Sequence, residues 1–329
     1  MNNLKVDVPA NKLAIIIGAG GAGGNILQYI YHHNQYGEEI DCCALDTDRH
    51  VLSALEIPLS NKLLIGGKGA GAGADPEKGK QAAIESAEAI IKKINSGNYK
   101  FAFVITGMGG GTGTGAAPVV AELCRSMGIY TIAICSTPFS FEDYSRHRQA
   151  TEGIDNLKQH VDTITVFSND SIINPDSSLT VPEAFNAADK IFYIPIDIIC
   201  SILKGGGPLT HIDHRDIYTT LRGSKPAIFA SGTGVGAKRI TKALANLTKS
   251  PFLNHLKIEK SKRILLYIHA ENEQNELLVK ELEEVSDFFA EFSDGIELIW
   301  GYGYDSALKP DEIKVSVIVS GITDGEEVI

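Results

Sequence analysis

The most constraining feature of the 329-residue chain is a glycine-rich run, Gly107-Met108-Gly109-Gly110-Gly111-Thr112-Gly113-Thr114-Gly115. It follows the strand-like segment Phe101–Thr106 and opens a helix-like one. Backbone N–H groups converge in such a turn and the helix adds positive potential, so the run suits phosphate oxygens. A purely structural turn would not need this density of glycine, because freezing glycine costs conformational free energy. The run therefore predicts a phosphate-binding loop made mainly of main-chain amides.

A second glycine-rich turn follows the apolar run Leu13–Ile17 and reads Gly18-Ala19-Gly20-Gly21-Ala22-Gly23-Gly24-Asn25. It contains the GxGxxG pattern of dinucleotide-binding folds, which by itself also fits a tight strand-to-helix turn that binds nothing. The chain contains no GxxxxGKS or GxxxxGKT pattern, which excludes a P-loop ATPase. Two phosphate loops on adjacent strand ends predict one nucleotide held by amides from both loops.

Strand-like and helix-like segments alternate through the first half of the chain. Short apolar runs bounded by Gly, Pro, Asn or Asp predict strands that are buried on both faces. Asp75-Pro76-Glu77 predicts a capped helix start, with the helix running to about Asn95. This alternation predicts an α/β fold with a doubly wound parallel sheet. The predicted strands are Leu13–Ile17, Ile40–Leu45, Phe101–Thr106, Tyr130–Cys135 and Thr163–Phe167.

The segment from about Val181 to Lys204 is apolar and helix-like, but it contains Pro195. An interior proline removes a backbone hydrogen bond and costs about 3 kcal/mol, so a kink or a break is expected near Ile191–Pro195. Gly205-Gly206-Gly207-Pro208 then ends the segment. The expected organisation is a nucleotide-binding domain at 1–180, a central connecting helix at 181–207 and a second domain at 208–329.

The second half of the chain has a different order of elements. A helix is predicted at Glu273–Phe292, where apolar residues recur at helical spacing and indicate core packing. Together with four strand-like segments, it predicts a smaller α/β domain with a four-stranded mixed sheet. The predicted strands are Ala227–Ser231, Ile264–His269, Ile296–Trp300 and Ile313–Ser320.

The charge balance is acidic, with 30 basic and 41 acidic side chains and a formal net charge of −11. No run rich in Lys or Arg offsets it, which argues against binding to nucleic acid or directly to a membrane. The chain has neither a signal-like N-terminus nor the roughly 20 apolar residues of a membrane span, so a cytoplasmic protein is expected. Its five cysteines have no CxxC spacing, which predicts buried free thiols rather than disulfides or a zinc site.

The segment Gly109–Gly115 reads GGGTGTG and is followed by Ala-Ala-Pro-Val-Val-Ala-Glu. In this form it resembles the signature of the tubulin/FtsZ superfamily, and in particular that of its FtsZ branch. The resemblance extends over nearly the whole chain, from Leu13 to Gly321. The other segments that carry it are Gly20–Asn25, Leu45–Asp48, Gly69–Glu77, Thr137–Glu142 and Asp213–Asp216.

The resemblance implies that the nucleotide is GTP or GDP, with Mg²⁺ as its expected companion. The two glycine turns would hold the phosphates, and Gly71, Ala72 and Gly73 would close on the γ side. Glu142 and Arg146 would lie near the ribose. The complete set that the resemblance implies for nucleotide binding is Gly20, Gly21, Ala22, Asn25, Asp46, Gly71, Ala72, Gly73, Gly109, Gly110, Gly111, Thr112, Gly113, Thr114, Gly115, Glu142, Arg146, Asn169, Phe185 and Asp189.

Asn169, Phe185 and Asp189 match the guanine contacts of the family. These roles agree with the chemistry, because a carboxylate accepts the N1–H and N2–H donors of guanine and a phenyl ring stacks on the base. Taken singly, Phe185 could be a core residue and Glu142 a solvated charge.

In FtsZ-like proteins, two acids of one subunit act on the GTP that the next subunit of a filament binds. Asp213 and Asp216 match those acids and would orient and polarise the attacking water. The resemblance therefore implies a GTPase that polymerises head to tail, with assembly and hydrolysis as properties of one shared site. The implied partner is a second copy of the chain, and another FtsZ-family protein is the alternative partner.

Three residues differ from the usual FtsZ pattern. Asp46 and His211 stand where the family usually has Asn, and Pro195 interrupts the connecting helix. A carboxylate at position 46 would repel phosphate unless Mg²⁺ or a proton intervenes. These differences keep open a regulatory protein that binds nucleotide, hydrolyses it weakly and modulates or co-assembles with another filament protein.

Two other kinds of site stay open as alternatives. The GxGxxG turn with Asp46 and Asp48 fits a nicotinamide-dependent oxidoreductase, which leaves the second glycine turn unexplained. A Zn²⁺ or Mn²⁺ site would need ligands beyond those of one short segment, and no other segment offers an obvious one. Its candidate ligands are His211, Asp213, His214 and Asp216.

Overall fold

The computed structural model describes residues 10–172, 180–205, 212–250, 252–253, 261–290 and 295–322. In the first part of this range strands alternate with helices, as predicted. The strands are β1 (Asn11–Ala19), β2 (Ile40–Asp46), β3 (Lys62–Leu64), β4 (Asn98–Gly107), β5 (Tyr130–Thr137) and β6 (Thr163–Ser168). The helices are α1 (Gly20–His33), α2 (Arg49–Ala54), α3 (Pro76–Glu85), α4 (Ala87–Ile94), α5 (Thr112–Ser126) and α6 (Tyr144–His160).

The sheet order places β1 beside β4. Among the described residues the six strands run β3-β2-β1-β4-β5-β6, and every neighbouring pair is parallel. The chain therefore builds the sheet outward from β1 to β3 and then in the other direction from β4 to β6, which confirms the doubly wound arrangement. In such sheets ligands bind beyond the carboxyl ends of the strands where the direction reverses, here between β1 and β4.

The strands are apolar along their length because both faces of this sheet are covered. In β1, Ile15, Ile16 and Ile17 are at most 1% exposed. Ile16 points into one core and its two neighbours into another, which is packed against α5. This two-sided burial explains why the sequence of the strand shows no alternation of polar and apolar residues.

The helix predicted from Pro76 to about Asn95 is two helices, α3 and α4, which are separated at Ser86. Its start is as predicted, because the Asp75 side chain accepts a hydrogen bond from the second residue of α3. At the break, the Ser86 hydroxyl oxygen accepts a 2.9 Å hydrogen bond from the backbone N–H of Gly66. Strand β3 was not predicted, because three half-buried residues are too few to show a periodic pattern.

A single helix, α7 (Val181–Lys204), follows the first sheet and continues through Pro195. The break expected near Ile191–Pro195 is therefore wrong. Proline removes one backbone donor, but Phe192, Ile196 and Ile199 of the same helix are at most 1% exposed. Burial of each such side chain contributes about 1.5–3 kcal/mol, which offsets the lost hydrogen bond.

The second part of the chain contains α8 (His214–Leu221), β7 (Ile228–Val235), α9 (Arg239–Leu247), β8 (Arg263–Ala270), α10 (Val279–Ala290), β9 (Glu297–Tyr304) and β10 (Glu312–Ser320). Among the described residues its strands run β7-β10-β8-β9. Strand β10 is antiparallel to both neighbours, whereas β8 and β9 are parallel. This confirms the predicted mixed sheet.

One apolar core joins the two sheets through α7. The predicted division at 1–180, 181–207 and 208–329 stays a prediction, and residues 206–211 at its second boundary lie outside the described residues. Helix α10 is shorter than the predicted Glu273–Phe292, whose last two residues also lie outside that range. It begins where the Glu281 side chain accepts a 2.8 Å hydrogen bond from the backbone N–H of Leu278.

No helix in the described part of the chain combines the length and apolar character needed to cross a bilayer. All five cysteines are buried free thiols, as predicted. Burial raises the pKa of Cys42 to about 12 and that of Cys43 to about 11, so these two thiols are protonated at neutral pH.

Candidate active site

The turns after β1 and β4 meet at the point where the sheet reverses direction. A Cβ atom on Gly20 would lie 2.7 Å from the backbone nitrogen of Gly113, so the turns are too close for a side chain there. Thr106 ties them together by donating a 3.1 Å hydrogen bond from its hydroxyl to the carbonyl oxygen of Ala19. The two glycine turns therefore form one continuous surface.

A cleft of about 370 Å³ opens on this surface. Its volume falls in the range of small-molecule sites. Its walls come from the turns at the carboxyl ends of the strands, from the loop before α3 and from α7. The predicted residues that line it are Gly20, Gly21, Ala22, Asp46, Gly71, Ala72, Gly73, Gly110, Gly111, Thr112, Gly113, Glu142, Arg146, Asn169, Phe185 and Asp189.

Two helices, α1 and α5, begin at the cleft without a capping side chain. By contrast, Asp48, Asp75 and Asp143 cap the starts of α2, α3 and α6. The first-turn N–H groups of α1 and α5 therefore have no side-chain acceptor, and both helix dipoles direct positive potential into the cleft. Such a pair of helix starts suits a group of phosphates.

The four other predicted binding residues do not line the cleft, and three of them, Gly109, Thr114 and Gly115, build the frame behind it. The Thr114 hydroxyl accepts a 2.9 Å hydrogen bond from the backbone N–H of Gly109 and so holds the turn after β4. A Cβ atom on Gly115 would lie 1.8 Å from the carbonyl oxygen of Pro76, so this glycine lets α5 pack against α3. Asn25 is an exposed residue of α1.

One wall of the cleft is acidic. Asp46 at the end of β2 is 4% exposed, and its Oδ1 atom accepts a 2.9 Å hydrogen bond from the backbone N–H of Asp48. The Thr112 hydroxyl lies 3.4 Å from the same oxygen. Burial raises the pKa of Asp46, and these hydrogen bonds oppose the rise only in part. Asp48 lines the same wall and was not among the predicted binding residues, although the Asp-Thr-Asp segment was a signal for it.

The other end of the cleft is formed by α7 and the turn after β6. Phe185, Asp189 and Phe192 line it from successive turns of α7. Phe185 is 44% exposed, which excludes a core position, and packs edge-on against Phe139 with ring centroids 5.0 Å apart. Burial raises the pKa of Asp189 to about 6. Among the described residues, the buried Oδ1 atom of Asn169 has no hydrogen-bond partner.

Glu142 and Arg146 form an ion pair at the rim of the cleft. The other carboxylate oxygen of Glu142 accepts a 2.9 Å hydrogen bond from the backbone N–H of Phe139. Glu142 is therefore held in place by both of its oxygens and is not a free solvated charge.

Several residues of the cleft were not predicted. Phe192 could have been found, because it lies one turn beyond Asp189 on an apolar helix. Ser136 and Pro138 reach the cleft only because β5 pairs with β4, and no local sequence pattern predicts this pairing. The remaining unpredicted residues include Val51, Ala74, Met108 and Ala188.

Asp213 and Asp216 lie at the start of α8, outside the cleft. The Oδ1 atom of Asp213 accepts hydrogen bonds from the backbone N–H groups of Arg215 at 2.6 Å and Asp216 at 3.2 Å. In return, Oδ2 of Asp216 accepts a 2.9 Å hydrogen bond from the backbone N–H of Asp213. Although partial desolvation opposes the change, the hydrogen bonds to backbone N–H groups hold the pKa of Asp213 below its ordinary value.

Helix α8 crosses the amino end of the first sheet. Tyr218 of this helix stacks on Tyr130 at the start of β5, with ring centroids 4.8 Å apart, and its hydroxyl donates to the carbonyl of Lys100 in β4. Gly107, at the other end of β4, lines the cleft. At the usual rise per strand residue, Lys100 and Gly107 are about 23 Å apart. A single chain therefore carries the acid pair and the cleft at opposite ends of one sheet.

The alternative of a transition-metal site gains no support. Within the described ranges, no three His, Cys, Asp or Glu side chains are grouped so that they could hold a metal ion. His211, one of the four candidate ligands, lies outside those ranges.

Comparison with known proteins agrees with this architecture. Residues 14–175 match the family model described as Tubulin/FtsZ family, GTPase domain. The chain is 34% identical over 310 residues to the cell division protein FtsZ of Porphyromonas gingivalis, which covers 93% of this chain and 66% of that protein. It is 31% identical over 322 residues to the FtsZ of Wigglesworthia glossinidia brevipalpis, which covers 96% of this chain and 81% of that protein.

A solved structure gives the same result in three dimensions. The empty FtsZ dimer of M. jannaschii matches with a TM-score of 0.82 at 29% sequence identity, covering 97% of this chain and 91% of that one. Sequence and structure therefore agree over nearly the whole chain, and this chain belongs to the tubulin/FtsZ family.

Proposed function

We propose that this chain is a cytoplasmic, self-assembling GTPase that polymerises head to tail, with each active site completed by the next copy. One observation carries the proposal: the cleft and the pair Asp213 and Asp216 lie at opposite ends of one parallel sheet. Stacking of two copies along the strand direction would bring the acids of one copy to the cleft of the other. Repetition of this head-to-tail contact generates a filament.

The cleft fits a guanine nucleotide in one orientation. Its phosphates would accept hydrogen bonds from the uncapped amides at the starts of α1 and α5. The ribose would lie near Glu142 and Arg146. Ionised Asp189 would accept the N1–H and N2–H donors of guanine, whereas adenine has an acceptor at N1 and would leave this buried carboxylate poorly paired. A nicotinamide dinucleotide is disfavoured because it leaves the second glycine turn without a role.

Mg²⁺ fits the phosphate end of the cleft. The ion binds one or two carboxylates together with phosphate oxygens and water, and Asp46 and Asp48 supply carboxylates on one wall. The Thr112 hydroxyl beside Asp46 is a further oxygen donor. When bound, the ion would neutralise charge on the β- and γ-phosphate oxygens.

Hydrolysis transfers the γ-phosphoryl group of GTP to water and releases GDP and phosphate. In each carboxylate of the pair Asp213 and Asp216, the capping hydrogen bonds engage one oxygen. The other carboxylate oxygen of Asp213 and of Asp216, supplied by the neighbouring copy, would accept hydrogen bonds from the attacking water, align it and take up its proton. Amides of the turn after β4 would stabilise charge on the transferred group. Release of the γ-phosphate then removes part of the contact between copies, which weakens the filament.

The test measures GTP turnover per molecule over a wide range of protein concentration, together with sedimentation in GTP, GDP and a slowly hydrolysed GTP analogue. We expect turnover per molecule to rise steeply above a threshold concentration. Sedimentation is expected with GTP and with the analogue but not with GDP. Turnover per molecule that stays constant at all concentrations would exclude a site shared between copies.

A regulatory role is the second candidate, and the buried carboxylate of Asp46 on the phosphate wall favours it. Such a protein would bind nucleotide, hydrolyse it weakly and modulate or co-assemble with another filament protein of the family. Rapid GTP hydrolysis by the purified chain alone would rule this candidate out.

A further inference from the structure

A partly buried polar cluster in the C-terminal half of α7 joins this helix to the segment that follows α1 and to the second sheet. We call it the central polar seam, and its members are Gln35, Tyr36, Asp197, Asp305 and Lys314. Asp197 is the only one of the five that belongs to α7, and its side chain is 17% exposed. None of these residues lines the nucleotide cleft.

On the side of the first sheet, Asp197 accepts hydrogen bonds from the segment that follows α1. Its Oδ1 atom lies 3.0 Å from Nε2 of Gln35 and 2.7 Å from the hydroxyl of Tyr36. The Tyr36 hydroxyl also lies 3.0 Å from the carbonyl oxygen of Asp197. Both the side chain and the backbone of α7 are therefore fixed to this segment.

On the side of the second sheet, the other carboxylate oxygen of Asp197 lies 2.5 Å from Nζ of Lys314 in β10. The Lys314 side chain is 8% exposed, and its next acidic neighbour, Asp305, is 3.9 Å away. Removal of the charge of Asp197 would leave this ammonium group poorly compensated in a buried position, which is strongly unfavourable.

The position of Asp197 along α7 gives this contact a consequence for the active site. Asp189 lies eight residues earlier in the same helix, about 12 Å along its axis. Beyond Asp197, the carbonyl oxygen of Gly205 accepts a 2.6 Å hydrogen bond from the hydroxyl of Tyr267 in β8. Helix α8 with its acid pair follows shortly after Gly205 and packs against β8 and β10. One rigid helix therefore connects the base end of the cleft to the sheet that supports the acids.

We propose that Asp197 is a positioning residue that holds α7 against both the segment after α1 and strand β10, and thereby sets the placement of the acid pair relative to the nucleotide cleft. This inference rests on the proposed GTPase function and deepens it, because it names how the two halves of the shared site are held in register. Asp197 itself touches neither nucleotide nor water. If Asp197 served stability alone, an effect of nucleotide binding in the cleft on β10 would not depend on it.

The first test is amide hydrogen exchange of the full chain with and without GDP. Asp197→Asn keeps an oxygen that accepts hydrogen bonds from Gln35 and Tyr36 but removes the charge that pairs with Lys314. In the unchanged chain we expect GDP to slow exchange along the whole of α7 and in β10. In the variant we expect the slowing to end near position 197. Slowing that reaches β10 in both proteins, or in neither, would overturn the proposal.

The second test is the threshold concentration for sedimentation with GTP. We expect Asp197→Asn and Lys314→Met each to raise it by about fivefold, and the double variant to be no worse than either single one. If the threshold of Asp197→Asn equals that of the unchanged chain while its thermal stability falls, the role of Asp197 is structural only. Failure of the unchanged chain to sediment would count against the proposed function, and the GDP exchange experiment would still decide the role of Asp197.

Two matched controls separate this effect from general loss of an ion pair. Glu39→Gln removes an ion pair with Lys204 of α7 in which both side chains are about half exposed, and it leaves the Lys204 side chain over the Tyr36 ring, so it should change neither measurement. Glu281→Gln weakens a buried pair with Arg239 that lies within the second sheet unit. It should lower thermal stability without shortening the region that GDP protects.

Discussion

The hydroxyl of Tyr218 donates a 2.9 Å hydrogen bond to the carbonyl oxygen of Lys100, at the amino end of β4. This contact fixes α8, and with it Asp213 and Asp216, at the end of the sheet that is remote from the cleft. The acids of a chain therefore cannot reach the cleft of the same chain unless this hydrogen bond is broken and α8 leaves the sheet. Under the proposed function, activity is therefore a property of two copies, and the two halves of the site can be inactivated separately.

Asp213→Asn should bind GDP as the unchanged chain does and lose GTP turnover by about 100-fold or more. Asn is as good a helix N-cap as Asp, so α8 should stay intact, whereas Asp213→Ala would also cost about 1 kcal/mol of stability. The measurements are steady-state turnover, GDP affinity and thermal unfolding. Equal loss of GDP binding and turnover would show that Asp213 acts on the cleft of its own chain.

A mixture of two variants tests more directly whether the active site is shared between copies. Asp213→Asn keeps a working cleft, and Gly110→Ala keeps working acids. Each variant alone should be nearly inactive, and an equimolar mixture should regain part of the turnover because mixed contacts pair an intact cleft with intact acids. A mixture as inactive as its components would argue against a shared site.

Gly110 and Gly115 belong to the same glycine run but should respond differently to alanine. A Cβ atom on Gly110 meets no atom within 4 Å, although the residue lines the cleft, so Gly110→Ala should leave stability unchanged and weaken GDP binding. A Cβ atom on Gly115 would lie 1.8 Å from the carbonyl oxygen of Pro76, so Gly115→Ala should lower the free energy of unfolding by about 1–3 kcal/mol. Thermal unfolding and GDP titration of both variants distinguish the two roles. Equal destabilisation of both would contradict this division.

Guanine nucleotide binding should weaken as the pH falls through the pKa of Asp189, which burial raises to about 6. Only the ionised carboxylate accepts both guanine donors, so from about pH 7.5 to about pH 5 the GDP affinity should fall by about tenfold. Asp189→Asn should bind GDP weakly and lose this part of the pH dependence. An unchanged pH profile in Asp189→Asn would assign the titration to another group.

The raised pKa of Asp189 also affects the stability of the folded protein, and here a rise in pH is unfavourable. The folded chain binds more protons at Asp189 than the unfolded chain between about pH 4 and pH 6, so this residue contributes a loss of stability as the pH rises through that window. Asp189→Asn should therefore raise the melting temperature of the nucleotide-free protein above pH 6 while it weakens GDP binding. A lower melting temperature at neutral pH would contradict this reasoning.

Asp46→Asn should strengthen GDP binding when Mg²⁺ is removed by a chelator. The buried Asp46 carboxylate faces the phosphate end of the cleft and would repel the phosphates of GDP. Removal of this like charge should raise the GDP affinity by about tenfold. With saturating Mg²⁺ the difference should shrink, because the cation compensates the carboxylate. Guanosine, which has no phosphates, serves as the control ligand and should bind both proteins equally. A gain for guanosine as large as for GDP would place the effect outside the phosphate site.

The chemistry of the cleft could be predicted from local sequence, and the role of each residue within it could not. The run Gly109–Gly115 marks a phosphate loop because only glycine permits such closely spaced amides. Whether a given glycine lines the cleft or allows close packing of two helices depends on residues distant in the chain, as Gly115 shows by its contact with Pro76. Pro195 shows the same limit in a helix, because burial between two sheets outweighs its local penalty.

The sequence by itself determined most of the strands and helices and the two glycine turns, because apolar periodicity and turn chemistry act between residues close in the chain. The acids Asp213 and Asp216 were implied by the resemblance of their segment to FtsZ-like proteins. The tertiary structure alone decided that β1 pairs with β4, that Asp197 meets Lys314 across 117 residues, and that the acids and the cleft lie at opposite ends of the sheet. These relations depend on strand pairing and on packing between distant segments, which no local pattern encodes.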